Sequence, residues 1–145
     1  MEFITDLFTT SEDKVLFLKG LFLMEITNGK VTEQETTMIQ HTASILGIDK
    51  AEMHKLFPDP LALDLYKDSS TIKFANRKQA IFFLQEAIRL GKTAGHYSLN
   101  ETAMIAKIAL LNNIEPDALV KLDNAVEKVT DAVADLQSTF EQLTK

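Results

Sequence analysis

The sequence predicts an all-α fold: one compact helical domain over residues 1–145, made of two pseudo-twofold-related three-helix repeats and a long C-terminal helix. Three observations predict it. The chain matches itself at an offset of 66 residues, so that 13–57 lies over 79–123 without a gap. Phe17-Leu18 falls on Phe83-Leu84, Glu35-Thr36 on Glu101-Thr102, Met38-Ile39 on Met104-Ile105 and Ile48 on Ile114. Apolar residues recur at helical spacing along most of the chain. Finally, the same stop and start residues punctuate both halves. A period this long, in two copies only, fits paired half-domains better than a solenoid array.

The first helix is expected on the face formed by Phe3, Ile4, Leu7 and Phe8, with Ser11 as N-cap of the second. Residues 15–24 are apolar nearly all round apart from Lys19 and Gly20, which places that helix at the centre of the fold. Its counterpart, from Ile81 to Leu90, is expected to be the second central helix. A turn at Asn28-Gly29 then leads to Thr32, and one at Ala94-Gly95 leads to Ser98. Thr32 with Glu35, and Ser98 with Glu101, have capping-box spacing: the hydroxyl accepts from the N–H three residues on, and the Glu reaches back. Gly47 and Asn113 are stop residues for the helices that follow. Asp49 with Glu52 starts the third helix of the first unit, and Glu115-Pro116 starts that of the second. Pro58 and Pro60 close the first unit, and 67–71 is a polar linker.

The last helix breaks the symmetry by continuing past 123 to the extension 124–145. Leu119, Leu122, Val126, Val129, Val133, Leu136, Phe140 and Leu143 follow the 3-4 spacing of a coiled-coil seam. One flank reads Ala118, Ala125, Ala132, Thr139 and the other Asp123, Thr130, Gln137, Thr144, without the complementary charges of a zipper. The alanine row widens the apolar stripe, so packing on the domain's own body, and a monomer, are expected over a C-terminal dimer.

Composition removes several function classes. A net charge of −6 argues against sequence-independent nucleic-acid binding and against an anionic membrane surface. The absence of cysteine excludes disulfides, thiolate metal sites and Cys nucleophiles. The N-terminal residues have no signal-peptide pattern, and the most apolar run is too short to span a bilayer. A soluble, cytoplasmic protein is therefore expected. No phosphate loop, nucleophile elbow or paired catalytic constellation occurs, so no catalytic residue is assigned and a non-enzymatic role is expected.

Gly29-Lys30-Val31-Thr32-Glu33-Gln34-Glu35 after an apolar helix, followed by a helix ending in Leu46-Gly47-Ile48, resembles the TerB-like domain. That family includes bacterial tellurite-resistance proteins and the membrane-linked part of a DnaJ-type co-chaperone. The resemblance covers 13–57 well and 79–123 more loosely. It implies an all-helical fold of two related halves, a stress-related or membrane-associated setting, an unidentified protein partner, and divalent-metal binding by acidic turn residues. Carried over, Asn28, Glu35 and Glu101 are the candidate metal ligands, with capping the preferred role of both glutamates. Where the family reads Asp-Gly, this chain has Asn28-Gly29 and Ala94-Gly95, and the lost carboxylates weaken any hard-cation site. No other cofactor is expected.

Other candidates come from the residues themselves. His41, His54 and His96 form no ligand spacing, and His96 beside Tyr97 reads as a loop residue. Phe82-Phe83 and Met24 read as core, with an apolar ligand cavity as the alternative. Lys73, Arg77 and Lys78 make a basic cluster at a helix start, a candidate anion or partner contact.

Overall fold

The structure is a computed structural model, describing residues 3–27, 32–56, 69–93 and 98–145. Seven α-helices run through the described residues: α1 Ile4–Leu7, α2 Ser11–Thr27, α3 Glu33–Ile45, α4 Lys50–Leu56, α5 Arg77–Thr93, α6 Leu99–Leu111 and α7 Pro116–Leu143. A 3-10 turn, Ser69–Thr71, precedes α5, and no described residue lies in a strand. The all-α expectation holds. Among the described residues no helix is long and apolar enough to cross a membrane.

Local signals set most boundaries. The Thr32 hydroxyl accepts from the Glu35 N–H, and the Ser98 hydroxyl from the Glu101 N–H, both at 3.2 Å. At the other end of these helices Gly47 (φ 80°) and Asn113 (φ 57°) turn left-handed. Ile48 N–H then donates to Ala43 O and Ile114 N–H to Ala109 O, each at 2.9 Å. Gly47 donates to Ser44 O and Asn113 to Leu110 O, completing the same Schellman stop in both places. The isoleucine beyond each stop is buried with the alanine that receives its bond, so the stop doubles as a core contact. Pro116 opens α7, and Asp49 caps α4 through the Glu52 N–H at 2.8 Å.

One start differs from expectation. The N-cap of α2 is Thr10, whose hydroxyl accepts from Asp13 N–H at 3.0 Å, while Ser11 is already helical. Both residues can cap; the one a turn before the Asp13 amide is selected.

The core forms around α2, which buries every residue from Gly20 to Ile26. Phe8, Phe17, Phe74 and Phe83 are buried together, and Phe82 is partly buried against them. Gly20 is required at the crossing of α2 and α5, because a Cβ there would sit 2.4 Å from the Phe83 ring. α5 packs against α7, α6, α2 and α1. Unlike α2 it keeps a polar side, with Arg77, Lys78 and Arg89 exposed, so only one helix of the expected central pair is apolar all round.

Two buried or half-buried amides tie the ends together. Gln79 donates to Leu7 O (2.8 Å) and to Asp13 Oδ2 (3.0 Å) and accepts from Ala75 N–H (3.0 Å). Asn112 donates to Ile72 O and accepts from Phe74 N–H, both at 2.8 Å, fastening the stretch before α5 to the end of α6. Each amide satisfies backbone groups that the irregular chain would otherwise leave unpaired in the interior.

Candidate interaction surface

Glu35 and Glu101 stand at equivalent positions in the first turns of α3 and α6 and are almost wholly buried, at 1% and 3% exposure. Glu35 Oε1 accepts from the Thr32 hydroxyl at 2.9 Å, so cap and carboxylate are joined by a closed local contact. Asn28, the third candidate metal ligand, lies outside the described residues, as do Gly29, Gly95, His96, Pro58 and Pro60. No group of three or more His, Asp or Glu able to hold a metal occurs among the described residues. A hard dication wants six to eight oxygens. The described donors at each cap amount to one carboxylate and do not fit such an ion by themselves. Glu25, near the end of α2, is a further buried glutamate that no sequence pattern marked.

Of the basic cluster, Arg77 is committed to partners within the chain. Arg77 grips Glu115 with two bonds of 2.8 and 3.1 Å and donates to Asn113 O at 3.3 Å. That hydrogen bond from Arg77 holds the Glu115 carboxyl below its usual range. Arg77 therefore anchors the start of α5 to the junction of α6 and α7, while Lys73 and Lys78 remain exposed.

Met24 and Phe83 are buried core, at 2% and 0% exposure, and do not line the grooves described next. One groove of about 350 Å³ opens between α2, α3 and α5, among Leu21, Met38, His41, Thr42 and Leu90. A second, of about 370 Å³, lies where α5 ends beside α7, among Arg89, Lys92, Val129, Thr130, Val133 and Gln137. Lys92 closes its inner wall by pairing with Asp123 at 2.6 Å and with Glu127. Burial would lower the Lys92 pKa, but the bonds to these two carboxylates outweigh it and hold the ammonium above its ordinary value.

The main correction concerns α7. Leu119 and Leu122 are partly buried against the core and Val126 is buried. The expectation that the whole stripe packs on the body fails beyond that point. Val129, Val133, Leu136, Phe140 and Leu143 are 50–79% exposed, and every residue from Asp131 to Lys145 is exposed. The reason is length. The 28-residue helix spans about 42 Å at 1.5 Å per residue, and α5, with 17 residues, supports only its first part. The 3-4 pattern named the apolar face correctly, but it cannot tell where the supporting helix ends.

A row of five large, exposed apolar side chains on one helix face is a candidate contact surface. Comparisons with family models, curated proteins and solved structures find no match to this chain.

Proposed function

We propose that this chain is a non-enzymatic helical module of the TerB-like kind that works by protein–protein contact, with the second half of α7 as its contact surface. One observation carries the reading: the seam from Val129 to Leu143 is regular, apolar and exposed among the described residues. Such a stripe is costly to expose and gains most of its worth when another protein covers it. The bacterial stress-response or membrane-associated setting rests on the resemblance, and the relation of the two halves by a pseudo-twofold rests on the repeat. The repeated caps and Schellman stops support the relation of the halves.

The test is photo-crosslinking in the native cell with a crosslinking amino acid at position 136. Protein adducts that depend on the probe's place in the seam, and vanish with the probe at exposed Asp131, are expected. Recovery of no adducts at 136 rejects the reading.

A second reading, divalent-metal binding with Asn28, Glu35 and Glu101 as contributors, is supported by the burial of both glutamates. It needs further ligands from outside the described residues. Titration calorimetry with Ca²⁺, Mg²⁺, Mn²⁺ and Zn²⁺ decides it: no heat at millimolar metal rejects it. An apolar small-ligand role would draw on the groove beside Leu21, Met38 and Leu90 rather than on Phe83.

A further inference from the structure

Resting on the reading of α7 as the contact surface, we infer that its occupant is the same segment of a second copy of this chain, lying antiparallel. The argument starts from direction. Leu119, Leu122 and Val126 belong to the same 3-4 stripe as Val129 to Leu143, so the body and any partner lie on one side of α7. A parallel second copy would have to run its residues 116–126 through the volume that the body already fills. An antiparallel copy avoids this. Its residues 129–140 cover residues 129–140 here, and its own body begins opposite Leu143, where α7 ends.

Charge selects the same face. Beside the exposed seam stand Thr130, Ala132, Gln137, Thr139 and Thr144, all uncharged. The outer positions carry Glu127, Asp131, Asp135 and Glu141. In a chain of net charge −6, the seam is the face of α7 on which two copies meet without like charges opposed. Those carboxylates also repel an anionic membrane, and beyond residue 127 only Lys128 and Lys145 could answer it. The missing charges that count against a parallel zipper do not count here. Charged flanks choose between partners, whereas small neutral ones let two helices approach.

The register follows from pairing each position with its opposite in an antiparallel seam. Leu136 meets Val133 of the second copy, and Phe140 meets Val129 of the second copy. Phe140 thereby arrives at the groove of about 370 Å³ beside Arg89 and Lys92, which opens next to Val129. The paired stretch, 129–140, is about 17 Å long, and such a contact buries on the order of 1,000 Å², in the range of weak, transient interfaces. A reversible, concentration-dependent dimer is the consequence.

Sedimentation equilibrium on the purified full chain, from about 1 to about 500 µM, tests this. The mass is expected to rise from 16.2 kDa toward twice that value. Leu136→Lys, at an exposed position, is expected to keep the helix content and to move the transition at least about 100-fold higher in concentration. The chain has no cysteine, so direction can be read by disulfide trapping. Val129→Cys mixed with Phe140→Cys is expected to give the mixed disulfide, with neither variant oxidising to a dimer by itself. A monomer throughout, a dimer indifferent to Leu136→Lys, or a self-disulfide of Phe140→Cys overturns the inference. A purified monomer whose position 136 still crosslinks another protein in the cell overturns the second copy and leaves the contact module standing. A monomer without any adduct overturns both.

Discussion

Phe17 and Phe83, 66 residues apart in sequence, meet edge to face with ring centroids 5.8 Å apart and planes at 88°. Asp13 and Gln79, at the same separation, are hydrogen-bonded at 3.0 Å. When residues related by a repeat touch each other, they sit where an axis relating the two halves would pass. This is the strongest support for a pseudo-twofold, and it makes the pair the place to test it.

Phe17→Ala and Phe83→Ala are each expected to cost about 3–5 kcal/mol, since both rings are wholly buried and leave cavities. A double-mutant cycle in urea should show a coupling of about 0.5–1.5 kcal/mol for the edge-to-face contact. Strict additivity would mean that the rings touch without energetic consequence.

Gly20→Ala adds one methyl group against the Phe83 ring, 2.4 Å from where the new carbon would lie. A loss of about 1–3 kcal/mol is expected, although alanine is the better helix former. Phe83→Leu should relieve part of it. Chemical denaturation of the two single variants and the double variant checks this, and a neutral Gly20→Ala would refute the close crossing.

The caps are expected to behave alike in both halves. Thr32→Ala and Ser98→Ala should each cost about 0.5–2 kcal/mol, because each leaves a first-turn amide without its hydroxyl acceptor. Melting curves that differ by much more than that range between the two variants would break the equivalence.

Two ion pairs predict opposite pH behaviour. The Lys92 pKa is raised from its ordinary 10.5 by Asp123 and Glu127, against the lowering effect of burial. Its stabilisation is fully present below 10.5 and is lost as pH rises through the higher folded value. Lys92→Met should therefore be less stable than the wild type at neutral pH, and the gap should close in strong alkali. Glu115 is lowered from its ordinary 4.5, so its contribution is present above that pH and lost on acidification. Glu115→Gln should differ from the wild type at pH 7 and converge with it in acid. Urea titrations across pH read both trends, and a gap that ran the other way would exclude these pairings.

The features legible in the sequence were those decided within a few residues. Thr32, Ser98 and Asp49 act through a side-chain oxygen on the amide three residues on, Gly47, Asn113 and Pro116 through their own backbone, and each bounds a helix as its chemistry requires. Arg77 looks available for an anion in the sequence because its partner, Glu115, lies 38 positions away and nothing local announces it. Lys92 joins Asp123 and Glu127 by the same kind of long-range match. For α7 the period identified the apolar face, but burial also depends on where another helix stops. The buried state of Glu35 and Glu101 was hidden for the same reason: spacing marks a cap and does not say how deep it sits.

The all-round apolar character of α2 has a consequence for biosynthesis. Its cover comes largely from α5 and α6, which leave the ribosome some 66 and 88 residues later, respectively. At about 5–20 residues per second, α2 waits roughly 4–18 s before both helices that enclose it exist. For that interval Phe17, Leu18, Leu21 and Phe22 form a greasy segment on a nascent chain. The newborn first half thus exposes apolar surface that the finished fold covers on α2.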